Sequence, residues 1–269
     1  MDTLLELAME AAELAGRLLR DGRPEGLGVA ATKSSPVDVV TEMDLAAEKL
    51  ITEYLLDLRP YDGFLGEEGG ASAEGRSGVR WVIDPLDGTV NYLYGLPSWA
   101  VSIGVEMYGE RVAGVVEVPM RGETYFARSG HGAFVTGGQY GDKQVRLRCR
   151  DAAPLAESLV ATGFNYVADV RAHQAEVARE LIPQVRDIRR GGSAAIDLCD
   201  VAAGRLDAYF ERGLHPWDLC AGEVIAREAG ALTGGRPGRE ADGELTIAAP
   251  AGVFEPLQAL LEELGAWHD

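Results

Sequence analysis

The residues best suited to chemistry lie in the stretch Trp81-Val82-Ile83-Asp84-Pro85-Leu86-Asp87-Gly88-Thr89-Val90-Asn91. The apolar run from Trp81 to Ile83 reads as a buried strand that ends on a carboxylate. Asp84-Pro85-Leu86-Asp87 then reads as a turn, with Pro85 fixing one backbone torsion. Two carboxylates three residues apart in a rigid turn can both reach one pair of hard cations. Gly88 and Thr89 would open a helix whose first amides lack intrahelical partners and suit a phosphate oxygen. Together these residues read as a metal-plus-phosphate site. Asp, Pro and Gly are also ordinary turn residues, so carboxylates elsewhere in the chain decide between the two.

Several stand at strand or helix ends. Asp218 directly follows Trp217 at the start of an apolar helix (Leu219, Ala221, Val224, Ile225, Ala229). That is an N-cap position, and also the kind of strand-to-helix junction where α/β sites assemble. Glu211, at the end of Tyr209-Phe210, is a weaker candidate of the same kind. Asp44 stands in the first turn of another helix, where it complements the dipole. Glu67 and Glu68 follow a short strand (Phe64-Leu65-Gly66) and break into Gly69-Gly70; adjacent side chains point different ways, so at most one is a ligand. Gly191-Gly192-Ser193-Ala194-Ala195 puts small residues at a helix start, open to close approach by a polar ligand.

Rival chemistries lack their signatures. The chain has no G-x-x-x-x-G-K-[ST], G-x-S-x-G, H-E-x-x-H or G-x-G-x-x-G motif. His131, His173, His215 and His268 are scattered and read as surface or structural residues. An oxygen-rich set without a nucleophilic triad favours a hard cation such as Mg²⁺ over zinc.

The elements that must position these residues follow from periodicity. Residues 2–20 place Leu4, Leu5, Ala8, Ala11, Ala12, Ala15, Leu18 and Leu19 on one helical face, with Gly22 as the stop. Gly26 to Pro36 is small, polar and mobile in character. A second amphipathic helix is expected near Met43–Leu56, and a surface loop over 71–79. Ala100–Val105, Val112–Val118 and Thr124–Ala127 alternate as an antiparallel meander. Gly137 to Asp142 is the expected seam between an N-terminal half, about 1–142, and a C-terminal half, about 143–269. Strand and helix alternate in that second half: strands over 158–162, 185–189, 206–210 and 245–249, and helices near 167–181, over 193–203, from 218 to just before Gly230, and over 254–264. The pattern predicts α/β layers with two sheets in a single domain.

Of 269 residues, 43 are acidic and 25 basic, a net charge of −18. That argues against a nucleic-acid or anionic-membrane surface. A phosphate ester is an anion too, but bound divalent cations invert the local field, so the acidity predicts strict metal dependence. Cys149, Cys199 and Cys220 are far apart with no C-x-x-C, which predicts neither a disulfide framework nor a zinc site. The acidic start Met1-Asp2-Thr3-Leu4-Leu5-Glu6 does not suit a signal peptide. No apolar run approaches the roughly 20 residues that span a bilayer. A soluble cytoplasmic protein is expected.

Four blocks in order, Lys33-Ser34-Ser35-Pro36-Val37-Asp38 with Thr41 and Asp44, then Gly66-Glu67-Glu68, then Trp81 to Asn91, then Gly192-Ser193-Ala194 with Glu211 and Pro216-Trp217-Asp218, give the chain a resemblance to the inositol monophosphatase family, bacterial branch, over nearly its full length. The resemblance implies a five-layer α-β-α-β-α sandwich, usually a homodimer, that hydrolyses a small phosphorylated polyol with two to three Mg²⁺ per site. By position, Glu67, Asp84 and the Leu86 carbonyl would bind a first metal, and Asp84, Asp87 and Asp218 a second. Thr89, supported by Asp44, would orient the attacking water, with Glu67 nearby. The amides of Gly88 and Thr89 would take the phosphate. Asp87, Gly192, Ser193, Ala194, Glu211 and Asp218 would line the place of the inositol hydroxyls, with Lys33 and Asp38 on a loop near the site. The resemblance also implies Li⁺ sensitivity. Inositol 1-phosphate is the substrate expected; histidinol phosphate, fructose 1,6-bisphosphate and 3′-phosphoadenosine 5′-phosphate are the rivals. A regulatory or binding protein on the same fold is the alternative of another class.

Overall fold

A computed structural model of the chain describes residues 2–33, 39–69, 75–151 and 153–267. The expectations for Ser34 to Asp38, Gly70 to Glu74 and His268 therefore lie outside the described residues. Helix α1 (Asp2–Asp21) forms as its spacing predicts, with Ala8, Ala12, Ala15 and Leu19 fully buried on one face. Alanine at most of these positions lets the helix lie close against a sheet. Two short strands, β1 (Ala31–Thr32) and β2 (Val39–Val40), pair antiparallel before α2 (Glu42–Leu58).

The first sheet has seven strands in the order β3 to β9: β3 (Gly63–Gly66), β4 (Val79–Asp87), β5 (Ala100–Met107), β6 (Glu110–Val118), β7 (Glu123–Arg128), β8 (Gly132–Gly137) and β9 (Val145–Arg146). β3 pairs parallel to β4, and the others antiparallel. The expected meander is present and larger than its sequence pattern indicates, since β8 and β9 extend it to Arg146. The short helix α3 (Thr89–Leu93) follows β4.

The second sheet has the order β11-β10-β12-β14-β13, built from β10 (Leu159–Thr162), β11 (Asp187–Arg189), β12 (Ala208–Glu211), β13 (Leu232–Gly234) and β14 (Thr246–Ala249). Its first three strands run parallel and β14 antiparallel to both neighbours. Helices α4 (Ala168–Leu181), α5 (Ala194–Ala202), α6 (Pro216–Glu228) and α7 (Ala251–Glu263) complete the chain. Within the second sheet only β13, a three-residue edge strand without a clear alternating pattern, was not expected.

Four apolar clusters define the layers. The first joins α1 and α2 to one face of the first sheet through Ala11, Ile51, Trp81 and Ile103. The second joins the opposite face to α5 and α6 through Val116, Tyr125, Cys199 and Val224. Those helices meet the second sheet through Leu198, Tyr209 and Ala226. Its outer face is covered by α4 and α7 through Leu181, Val253 and Leu257. The result is the expected five-layer α-β-α-β-α sandwich. Burying each large apolar side chain is worth about 1.5–3 kcal/mol, so α5, whose nine residues are all buried and all apolar except Asp197 and Asp200, is placed at the centre. All three cysteines are free and buried. Among the described residues no helix is long and apolar enough to cross a membrane.

Candidate active site

The organising stretch differs from its expected conformation. Asp84-Pro85-Leu86-Asp87 is not a turn but the last part of β4, with Asp84 opposite Ser102, Asp87 opposite Ala100 and a register shift between them. A bulge places an extra residue in one strand and re-aims its side chains. Pro85, which has no N–H to give to a ladder, sits within the shifted segment. The Leu86 amide donates to Asp84 Oδ1 at 3.0 Å. Gly88 then takes the left-handed φ of +95°, and a Cβ there would stand 2.8 Å from the Ser98 carbonyl oxygen, so glycine is required on both counts.

Asp44 is the third residue of α2 and closes a capping box, accepting from the Thr41 amide at 2.9 Å. Its other oxygen, Oδ1, accepts from the Thr89 hydroxyl at 2.8 Å. That hydroxyl also lies 3.0 Å from the Leu86 carbonyl oxygen. Asp44 is fully buried, and burial raises its pKa against the opposing bonds from Thr41 and Thr89. Asp218 is likewise the third residue of its helix and not the N-cap as the sequence suggested. Pro216 starts α6 two residues earlier, and Asp218 Oδ2 accepts from the His215 amide at 2.6 Å.

Asp87 reaches across the molecule. Its Oδ2 accepts from the Ser193 hydroxyl at 2.6 Å and from the Ala195 amide at 2.7 Å, at the N-terminus of α5. Asn91 makes a second link, donating to the Gly191 carbonyl at 2.9 Å and the Ser98 carbonyl at 2.6 Å. Glu211 ends β12 and accepts from the Tyr209 hydroxyl at 2.7 Å. Lys33 lies 2.8 Å from both Glu67 Oε1 and Glu68 Oε1. The Glu68 amide donates to the buried Glu48 carboxylate at 2.8 Å, which fixes the turn that presents Glu67.

These residues share a cavity of about 240 Å³, lined by Lys33, Glu67, Asp84, Leu86, Asp87, Gly88, Thr89, Gly192, Ser193, Ala194, Glu211 and Asp218 among others. Asp44 lies behind Thr89 and does not line it. Burial raises the Asp84 pKa well above the ordinary range, and the charges of Glu67, Asp87 and Asp218 add to the effect. Burial and the charge of Asp87 do the same to Asp218. Asp87 is pushed up to about 6, chiefly by burial, with Ser193 and Ala195 opposing. Burial also lifts Glu211 to about 7, against the Tyr209 hydrogen bond and the Arg190 charge.

Over residues 1–266 the sequence matches the family model described as "Inositol monophosphatase family". The chain belongs to the inositol monophosphatase family. An inositol-1-monophosphatase SuhB of Mycobacterium tuberculosis is 45% identical over 245 residues, covering 88% of this chain and 83% of the relative. The Nus factor SuhB of Escherichia coli is 40% identical over 233 residues, covering 86% and 85%. The solved structure of Mycobacterium tuberculosis SuhB superposes with a TM-score of 0.82 at 40% identity, covering 99% of this chain and 98% of that one.

Metal dependence is general in this family, and the donor set here fits a hard divalent cation. Glu67, Asp84, Asp87, Asp218 and the Leu86 carbonyl offer only oxygen, the ligand type of Mg²⁺ and Ca²⁺. Asp84 is 1% exposed, and buried carboxylates that raise each other's pKa lack compensating positive charge. The cations lining the cavity are Lys33, already engaged with two glutamates, and Arg190. Among the described residues, no three acidic, histidine or cysteine side chains close on one point as a finished coordination shell. The carboxylates therefore share a cavity without being drawn together in it.

Some residues of the cavity escaped the sequence reading. Gly163 is one: a Cβ on it would stand 2.0 Å from Glu211 Oε2, so only glycine leaves room for that carboxylate. Phe164, Tyr166 and Arg190 also line the cavity, as does His215, expected to be a surface or structural residue. His215 stacks on Trp217, ring centroids 4.9 Å apart. None of these carries a local signal, because their neighbours in space come from other parts of the chain.

Proposed function

We propose that the protein is a Mg²⁺-dependent phosphomonoesterase that hydrolyses inositol 1-phosphate to inositol and phosphate. The observation that carries this is the convergence of Glu67, Asp84, Asp87 and Asp218, from three separate elements, on one cavity with Thr89 beside them and Glu211 further along. Mg²⁺ held by Glu67, Asp84, the Leu86 carbonyl, Asp87 and Asp218 would supply Lewis-acid charge at the phosphate and lower the pKa of water. Asp44 accepts the hydrogen bond of the Thr89 hydroxyl, which leaves the Thr89 oxygen lone pairs to accept from, and so orient, the attacking water. Glu67 stands beside that position. The amides of Gly88 and Thr89 donate to the phosphate oxygens. Glu211, Asp87 and Ser193 accept from or donate to substrate hydroxyls, and Gly192 and Ala194 leave space for the ring. Positioning and charge supply the acceleration, without a histidine base.

The whole chain would act as one catalytic domain, since both halves contribute residues. A cytoplasmic homodimer is the form consistent with the family resemblance. One relative is named a Nus factor, which favours a second reading, a partner-binding role beside or instead of catalysis. Phosphate release from inositol 1-phosphate, histidinol phosphate, fructose 1,6-bisphosphate and 3′-phosphoadenosine 5′-phosphate, each with Mg²⁺, EDTA or Li⁺, tests both. Mg²⁺-dependent, Li⁺-sensitive turnover highest on inositol 1-phosphate is expected. A different best substrate would move the specificity, and a folded protein that turns over none would sink the enzyme reading. The substitution Asp87→Asn should abolish turnover while leaving any partner binding intact.

A further inference from the structure

Arg190 stands between the edge strand β11 and the Gly191-Gly192 loop that leads into α5. Its neighbour Arg189 is paired with Asp187 Oδ2 at 2.6 Å. Arg190 instead folds back over the loop and lines the cavity. The loop's geometry is what permits this. Gly192 has φ +85°, and a Cβ on it would stand 2.5 Å from Arg190 Nη1 and 2.9 Å from Asn91 Nδ2, so the guanidinium occupies the space that a side chain at 192 would fill. Asn91 holds the loop through the Gly191 carbonyl, which keeps this seat in place.

Arg190 has no hydrogen bond or ion pair among the described residues, although its charge acts on Glu211 and opposes the effect of burial there. Lys33, the other cation lining the cavity, is engaged with Glu67 and Glu68. A guanidinium is all donor, with five N–H groups in a fixed fork, and a carboxyl oxygen accepts. A donor fork without a partner among the described residues and a carboxyl group within reach of its charge, both lining one cavity, suit a ligand group offering both roles. Adjacent hydroxyls on one ring do so: one donates to the carboxylate, the other accepts from the fork.

We infer that Arg190 is a specificity-determining residue that, with Glu211, reads neighbouring hydroxyls on the alcohol half of the substrate. This rests on the reading of the cavity as a phosphomonoesterase site. Arg190 touches the part of the ligand that does not react, so it would govern affinity for polyol phosphates and leave the chemical step alone.

The test measures kcat and KM of the full chain, with Mg²⁺, on inositol 1-phosphate and on 4-nitrophenyl phosphate, an ester whose alcohol half carries no hydroxyls. The proteins compared are wild type, Arg190→Ala and Arg190→Lys. For Arg190→Ala, KM for inositol 1-phosphate should rise about tenfold, the equivalent of about 1.4 kcal/mol, with kcat within about twofold. The 4-nitrophenyl phosphate constants should be unchanged. Arg190→Lys should lie between, because lysine keeps the charge and loses the planar fork. Melting temperature and sedimentation identify a variant that has lost its fold or assembly, in which case Arg190→Lys alone is scored. Unchanged KM, or an equal loss on both esters, would overturn the inference. If wild type prefers another polyol phosphate, the substrate proposed above moves, and Arg190 is judged on that ester against 4-nitrophenyl phosphate. Wild-type activity on 4-nitrophenyl phosphate alone defeats both readings.

Discussion

Replacing Gly163 by Ala should impair the recognition of polyol phosphates while sparing the chemistry. Gly163 directly follows β10, and its φ is not in the left-handed region, so the backbone itself accepts alanine. The conflict is with Glu211 alone. The new Cβ would lie 2.0 Å from Glu211 Oε2 and 2.1 Å from both Cδ and Oε1, far inside van der Waals contact. Glu211 cannot give way freely, because Tyr209 holds Oε2 at 2.7 Å. The carboxylate must leave that bond and turn from the position it holds in the cavity. A hydrogen bond to a charged group is worth about 1.5–3 kcal/mol, so losing one to the substrate lowers kcat/KM about 10- to 150-fold. Overpacking costs about 1–3 kcal/mol of stability, which thermal melting would record separately. Steady-state kinetics on inositol 1-phosphate and 4-nitrophenyl phosphate, for Gly163→Ala, Glu211→Ala and the double variant, isolates the cause. The loss should be confined to inositol 1-phosphate, and the double variant should be no worse than Glu211→Ala alone. A folded Gly163→Ala enzyme within twofold of wild type on inositol 1-phosphate would refute the reasoning, as would full additivity.

Two further outcomes are expected away from Glu211. Glu117 on β6 is buried against α1, and burial pushes its carboxyl from 4.5 up to about 7, with the Thr124 hydrogen bond opposing; the native state holds that proton where the unfolded chain releases it, so stability falls as pH rises from about 4.5 to about 7 and levels off above. Glu117→Gln should remove a penalty on the order of 3 kcal/mol at pH 8, read as a higher urea midpoint there and no gain at pH 4; a gain of equal size at both would contradict the sign. Thr89→Ala should lower kcat at least 100-fold with KM little changed, on a scale typical of lost acid–base assistance, whereas Thr89→Ser, which keeps the hydroxyl on Asp44, should stay within about tenfold; equal losses in the two variants would rule out the hydroxyl as the active group.

Where a feature is local, it is legible before folding. The spacing of Ala8, Ala12, Ala15 and Leu19 on α1, and the alternation in β5 to β7, describe faces that need burial whatever covers them, and both are found as expected. The types of the site residues are legible for a similar reason, since Asp84, Asp87 and Asp218 stand in short runs with Pro, Gly and Trp, and glycines that break strands are conspicuous. Conformation across a junction is harder to read. Asp84 to Asp87 has the composition of a turn, yet β5 supplies partners on both sides and keeps it in the sheet with a bulge. Asp218 has the composition of an N-cap, yet Pro216 is a better first residue and moves the helix start. The short strands β9 and β13 are fixed by neighbours and not by their own patterns. Gly163 and Arg190 are invisible for the same reason: one is defined by the carboxylate that lies over it, the other by the glycine it folds across.

The contacts that assemble the cavity also bear on how the two halves cooperate. Asp87 leaves the first sheet and is held by Ser193 and Ala195, 106 and 108 residues away, at the start of a helix of the second half. Asn91, from the helix that follows β4, holds the Gly191 carbonyl in the loop just before that helix. A carboxylate with two donors from α5 has its orientation set by the position of the second half, so a small slip between halves would change the direction in which Asp87 faces Asp84 and Asp218. The seam near residue 142 is therefore a boundary in sequence pattern but not in chemistry. Neither half contains the whole proposed site, because the first supplies Glu67, Asp84, Asp87 and Thr89 while the second supplies Asp218, Glu211 and the hydrogen bonds that hold Asp87.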